Sequence, residues 1–109
     1  MGQFVLRKAS DSQFYFRLHA NNGETILTGE TYPSKASALK GLESVQSNAP
    51  LDSRYERKKA ANGQYMFNLK GANGERIGTS ETYVTETGRE NGIASVKATA
   101  PTAIVNDQT

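Results

Sequence analysis

The sequence predicts an α+β fold: a single domain over residues 1–109, built as a tandem pseudo-dimer with one mostly antiparallel sheet and two helices on one face. Three observations predict it. The chain repeats itself at a spacing of 51 residues, each copy opens with apolar residues alternating at period two, and each copy closes with apolar residues at helical spacing. Residues 3–50 align with residues 54–101 without a gap and share 18 identities in 48 positions. Repeat one is therefore 3–50 and repeat two 54–101, with residues 102–109 following as a C-terminal segment. A unit of about 50 residues lies near the lower limit of independent stability, so two copies that bury a face against each other can share one core.

Each element follows in order. "QFVLRKA" and "RYERKKA" are short and aromatic, and Asp11-Ser12 or Asn62-Gly63 separates each from the next strand as a hairpin turn. In "QFYFRLHA" Phe14, Phe16 and Leu18 alternate with Tyr15, Arg17 and His19; in "QYMFNLKG" Tyr65, Phe67 and Leu69 alternate with Met66, Asn68 and Lys70. The first set of each should face the core and the second should face outward. Asn22-Gly23 and Asn73-Gly74 supply the positive φ of a tight turn into a third strand through Ile26 or Ile77. After the shared Glu-Thr-Tyr the period becomes helical: Leu42, Val45 and Ala49, then Ile93, Val96 and Ala100. Ser34 and Thr85 fit N-caps, and Pro50 and Pro101 fall where a helix should stop. The second helix has the poorer propensity, because Thr85, Thr87, Gly88, Asn91 and Gly92 all weaken it. Glycine at both 41 and 92 fits either close helix–sheet approach or simple inheritance from the duplicated unit.

Thirteen Lys and Arg against eleven Asp and Glu leave a formal charge of +2, which permits contact with nucleic acid without arguing for it. The absence of cysteine excludes disulfides, thiolate zinc sites, iron–sulfur clusters and a Cys nucleophile. No apolar stretch has the length of a signal peptide or a membrane span, so a soluble, cytoplasmic protein without membrane contact is expected. Met1-Gly2 opens like a myristoylation signal, but Leu6 stands where Ser or Thr is required.

The stretch "FYFRLHANNGETILTGETYPSKASALKGLESVQSNA", echoed by "YMFNLKGANGERIGTSETYVTETGRENGIASVKATA", resembles the YegP-like family of small bacterial tandem-repeat proteins over almost the whole chain. The aromatic strand, the Asn-Gly-Glu turn, Glu-x-Tyr and Gly-x-x-Ser-Val carry the resemblance. The first copy keeps "YPSKASA", close to the family's Tyr-x-Ser-Lys-Ala, whereas the second reads "YVTETGR", so no role of Ser34 and Lys35 carries over to Thr85 and Glu86. The resemblance implies β-β-β-α-β repeats that share one sheet and exchange their final strands, near Leu51 and in "TAIVN", residues 102–106, and so assigns a C-terminal strand and tail to 102–109. It implies no activity, because the family is uncharacterised.

Catalytic chemistry finds little support. His19 is the only histidine, lies on the outward set of its strand and has Lys70 as its counterpart, so no duplicated acid–base pair exists. A Ser-His-acid triad would have to use His19, and nothing points to its partners. Glu30 and Glu81, each two residues before a shared tyrosine (Tyr32, Tyr83), form a candidate repeat-interface site, since paired carboxylates serve glycoside hydrolysis or hold a divalent cation. The simpler reading places each Glu ahead of a helix start, favoured by its dipole, and each Tyr as a wedge between strand and helix.

The second candidate is the outer sheet face, with Arg7, Tyr15, Arg17, His19, Lys58 and Lys70, where aromatic and basic side chains could stack bases and neutralise phosphates. Met66 and Asn68, which replace Tyr15 and Arg17 in copy two, weaken a repeated stacking platform, and such residues also populate ordinary solvated faces. The reading that results is a non-catalytic binding or accessory module, monomeric with internal pseudo-two-fold symmetry and using no cofactor. Its partner is unidentified, a protein or single-stranded nucleic acid being the options. The alternatives are weak single-strand binding through the sheet face, and a carboxylate-based ion or small-ligand site between the repeats.

Overall fold

The computed structural model describes residues 2–109. β1 (Gln3–Lys8), β2 (Phe14–His19) and β3 (Thr25–Gly29) form a meander that leads into α1 (Lys35–Asn48). β4 (Tyr55–Lys59), β5 (Tyr65–Lys70), β6 (Arg76–Thr79) and α2 (Glu86–Thr99) repeat the series, and β7 (Ile104–Asp107) closes it. All seven strands share one sheet in the order β4-β5-β6-β3-β2-β1-β7. Five of the pairings are antiparallel and β7 runs parallel to β1, so the sheet is mixed.

The repeats meet at β3 and β6, where Thr28 faces Thr79. These two are equivalent at the 51-residue offset, so the pseudo-two-fold axis passes between them. The turns have the predicted chemistry: Gly23 and Gly74 adopt φ of 86° and 82°. In the upstream turns Gly63 has φ 82°, and Ser12 takes the same left-handed conformation at φ 69°.

Alternation decides which face is buried. Phe4, Leu6, Phe16, Leu18, Phe67 and Leu69 are fully buried beneath the helices, packed with Leu42, Val45, Ile93 and Val96. Each such side chain contributes about 1.5–3 kcal/mol relative to exposure. The helices begin as expected: Ser34 Oγ accepts from the Ser37 N–H at 3.1 Å, and Thr85 Oγ1 from the Gly88 N–H at 2.9 Å. Such caps stabilise by about 1 kcal/mol each.

The shared tyrosines and glycines explain one another. Phe4 meets Phe16 edge-on and Phe16 stacks on Tyr32 at 6.3 Å between centroids; Tyr55, Phe67 and Tyr83 repeat the arrangement, with the stack at 6.5 Å. A Cβ on Gly41 would lie 2.5 Å from Tyr32 Cζ, and one on Gly92 would lie 2.6 Å from Tyr83 Cζ. Close approach therefore governs both glycines, and what approaches is the tyrosine ring wedged beneath the helix.

Two expectations change. Leu51 is in no strand; it leads into a 3-10 turn, Asp52–Arg54, that passes straight into β4. Residues 53–56 are the repeat equivalents of β7, so the chain that would form a separate final strand in repeat one is already committed to the turn and to β4. The second concerns α2, whose weak propensity from sequence is accompanied in the fold by ion pairs to β4 and the preceding turn as well as by packing. Arg57 of β4 pairs with Glu90 at 3.0 Å and with Asp52 at 3.1 Å, and Lys97 reaches Asp52 at 2.7 Å. In repeat one the positions of Arg57 and Glu90 are Leu6, which is in the core, and Leu39, which packs partly buried against it.

Gly41→Ala and Gly92→Ala gain about 1 kcal/mol of helix propensity but overpack the tyrosine by about 1–3 kcal/mol, so each should lower stability in urea unfolding. Acid should also act on the α2 clamp. Hydrogen bonds from Lys97 and Arg57 hold Asp52 below the usual carboxylate range, and a hydrogen bond from Arg57 does the same for Glu90. A carboxylate depressed in the folded state stabilises fully above its unfolded pKa, about 4, and loses that contribution as pH falls below it. Glu90→Gln should therefore shrink the drop in urea midpoint between neutral pH and pH about 3.

Candidate functional site

The face opposite the helices has no layer over it among the described residues. One row crosses all seven strands: Glu56, Asn68, Thr79, Thr28, Arg17, Val5 and Asn106. Its halves have different chemistry.

In the second half the polar groups satisfy one another. Thr79 Oγ1 donates to Asn68 Oδ1 at 3.2 Å, Asn68 Nδ2 donates to Glu56 at 3.1 Å, and Lys70 Nζ reaches the other Glu56 oxygen at 3.2 Å. The Asn68 and Lys70 hydrogen bonds hold Glu56 below the usual carboxylate range. Lys70 is thus neutralised in place. Lys58 lies opposite Met66 on the outermost strand.

In the first half the charges are open. Arg17 lies over the Tyr15 ring at 5.5 Å, within cation–π range, and Arg7 is the direct cross-strand neighbour of Tyr15. Neither arginine has a carboxylate within 4.0 Å among the described residues. His19, beside Gln3 on the same face, has Nδ1 2.9 Å from the Gly23 carbonyl, which can only accept. Its ring therefore donates through Nδ1 and braces the turn.

The six residues expected on this face consequently do not form one patch. Arg7, Tyr15, Arg17 and His19 gather on β1 and β2, while Lys58 and Lys70 stand on β4 and β5 with β6 and β3 between. Three strand spacings put the two groups about 14 Å apart.

Glu30, Tyr32, Glu81 and Tyr83 also separate. Pairing of Gly29 with Gly78 places Glu30 beside residue 77, four residues from Glu81. That is about 13 Å along the strand, beyond the roughly 5–9.5 Å between paired glycosidase carboxylates. Glu30 is held by Arg76 at 3.1 Å, and the helix start is capped by Ser34 instead. Burial pushes the phenol pKa of Tyr32 up, with Glu30 adding to it, and burial followed by Glu81 and Glu24 does so for Tyr83. No group of three or more His, Asp or Glu side chains gathers to hold a metal ion among the described residues, and no helix there is long and apolar enough to cross a membrane. The Arg76–Glu30 pair and the buried Asn68 network were missed from sequence; the available signal for the ion pair was that, of the positions where the repeat phrases 21–32 and 72–83 differ, Thr25 against Arg76 is the one that introduces a charge.

Comparison with known proteins agrees with the internal repeat. The model of a domain of unknown function, DUF1508, matches twice, at residues 9–56 and 60–107. UPF0339 protein YegP of Escherichia coli O157:H7 is 58% identical over 108 residues, covering 99% of this chain and 98% of the relative. UPF0339 protein PA0329 of Pseudomonas aeruginosa is 47% identical over 106 residues, covering 97% and 96%. The solution NMR structure of the E. coli protein of unknown function yegP superposes with a TM-score of 0.93 at 56% identity, covering 99% of this chain and 93% of that one. That of UPF0339 protein SO3888 from Shewanella oneidensis gives 0.91 at 46% identity, covering 97% and 90%. Sequence, duplicated domain and fold agree, and the chain belongs to the UPF0339 family of DUF1508 tandem-repeat proteins, whose function is uncharacterised.

Proposed function

We propose that this protein is a non-catalytic binding module whose working surface is the first-repeat half of the open sheet face, and that the ligand is single-stranded nucleic acid. The observation that carries the reading is Arg17 stacked on Tyr15 with Arg7 alongside, both cations free of carboxylates among the described residues. On the other half the equivalent positions are Asn68, Met66 and Lys58, and the nearby Lys70 is bound to Glu56. A nucleobase has a π face for Tyr15, and two phosphates can neutralise the two arginines. The internal duplication supplies both halves of the fold, which supports a monomer as the working unit.

The footprint is small, and its size makes the reading quantitative. For single strands the salt slope is about −0.7 per neutralised phosphate, so two arginines give about −1.4 and a roughly sevenfold loss of affinity between about 50 and 200 mM salt. Fluorescence anisotropy of labelled single-stranded DNA and RNA measures this directly. Arg17→Ala should weaken binding and reduce the slope to about −0.7, whereas Lys70→Ala should leave the slope unchanged. No binding at low salt, or an unchanged slope in Arg17→Ala, would retire the nucleic-acid reading.

A further inference from the structure

A cleft of about 400 Å³ lies at the junction of the repeats, lined by Glu24, Thr25 and Ile26 of repeat one and by Glu81, Thr82 and Tyr83 of repeat two. At the 51-residue offset its counterparts are Glu75, Arg76, Ile77, Glu30, Thr31 and Tyr32. Five of the six positions carry the same residue in both halves. The exception is Thr25 against Arg76.

That exception shows what the surroundings hold. In the counterpart, Arg76 Nε and Nη2 donate to Glu30 Oε1 at 3.2 and 3.1 Å. The chain thus places a guanidinium of its own among these residues. Where Thr25 replaces Arg76, the side chain is several atoms too short to reach Glu81, and Glu81 has no cation within 4.0 Å among the described residues. Glu24, across the cleft, is likewise without an ion pair there. Both carboxylates act on the half-buried phenol of Tyr83, adding to the rise that burial causes, whereas only Glu30 acts in this way on Tyr32.

We infer that this cleft binds an alkylguanidinium group supplied from outside the chain, held by Glu81 as Arg76 is held by Glu30 in the other repeat. The planar fork of a guanidinium, with its several N–H donors, matches a carboxylate better than the point charge of an ammonium. Glu24 and the Thr25 hydroxyl offer further acceptors. The site is separate from the cationic sheet face: its ligand has the opposite charge, and either site can fail without the other.

The test is amide-resolved NMR of the full chain, titrated with N-acetyl-arginine amide, free arginine and, for comparison, N-acetyl-lysine amide. Saturable shifts are expected at residues 24–26 and 81–83, stronger with arginine than with lysine. Tighter binding of the capped form identifies a protein side chain as the source, and tighter binding of free arginine identifies a small molecule. Glu81→Gln, which removes a charged hydrogen bond, should weaken binding about tenfold. Thr25→Arg should fill the cleft and abolish binding. Arg76→Thr should open a second site, with new shifts at residues 30–32 and 75–77. The inference is overturned if the cleft amides show no saturable shift, if Thr25→Arg binds as the parent does, or if a folded Arg76→Thr gains no second site. Should Arg76→Thr fail to fold, the two substitutions on the open cleft decide the matter.

Discussion

The fold depends on how two halves of the same architecture meet at an axis where there is room for only one large side chain. Thr28 and Thr79 face each other across it, and the next pair is Gly29 with Gly78. Gly78 is the repeat equivalent of Leu27, and Leu27 is fully buried against it; a Cβ on Gly78 would lie 2.7 Å from Leu27 Cδ2. Beside a two-fold axis equivalent residues become neighbours, so a symmetric pair of leucines would compete for the same space. A single chain carrying both copies can place Leu in one and Gly in the other, which a homodimer of identical units cannot do. The helices then secure the junction: α1 packs on β2 and reaches β5 and β6, while α2 packs on β5 and reaches β3.

Once the halves were free to differ at the axis, they could differ away from it. An ion pair, Arg57 with Glu90, joins the first strand of repeat two to its helix, whereas the equivalent positions in repeat one are apolar, Leu6 in the core and Leu39 packed against it. On the open face the cations of repeat one remain free, whereas Lys70 is tied to Glu56. At the ends of the β3–β6 junction one carboxylate has a guanidinium and its equivalent faces a cleft.

Where local rules decide the structure, the sequence was legible. Alternation identified the buried face because burying Arg17 or Asn68 beneath the helices would cost several kcal/mol without a partner. The caps at Ser34 and Thr85, the Asn-Gly turns and the stops near Pro50 and Pro101 need only their own few residues. The candidate sites were less legible, because they depend on strand order and register. Arg17 and Lys70 do share one face of the sheet, but the β6–β3 junction that separates them comes from a long-range pairing. Glu30 and Glu81 looked like a pair because they are symmetry equivalents, yet equivalents approach each other only close to the axis. Thr28 and Thr79 do, and residues two positions further along each strand diverge in opposite directions. The final strand that the resemblance implies near Leu51 does not form for a related reason: residues 53–56, the equivalents of β7, are already taken up by the 3-10 turn and β4.

The ion pairs of repeat two are therefore better understood by the charge they remove than by the stability they add. Each is at least partly exposed, and such pairs contribute about 0–1 kcal/mol. Their larger effect is on the field at the surface. Arg57, Lys70, Arg76, Arg89 and Lys97 are all matched to carboxylates, while Arg7 and Arg17 are not. The formal charge of +2 thus conceals an uneven distribution, with carboxylate-free arginines on the strands of repeat one, paired arginines on those of repeat two, and unneutralised carboxylates in the cleft between the repeats. Opposite potentials on separate surfaces of a small domain favour different ligands at each and oppose exchange between them. A symmetric pair of repeats would instead present each surface twice. Duplication followed by local divergence gives this fold two surfaces of opposite charge on the frame of one shared core.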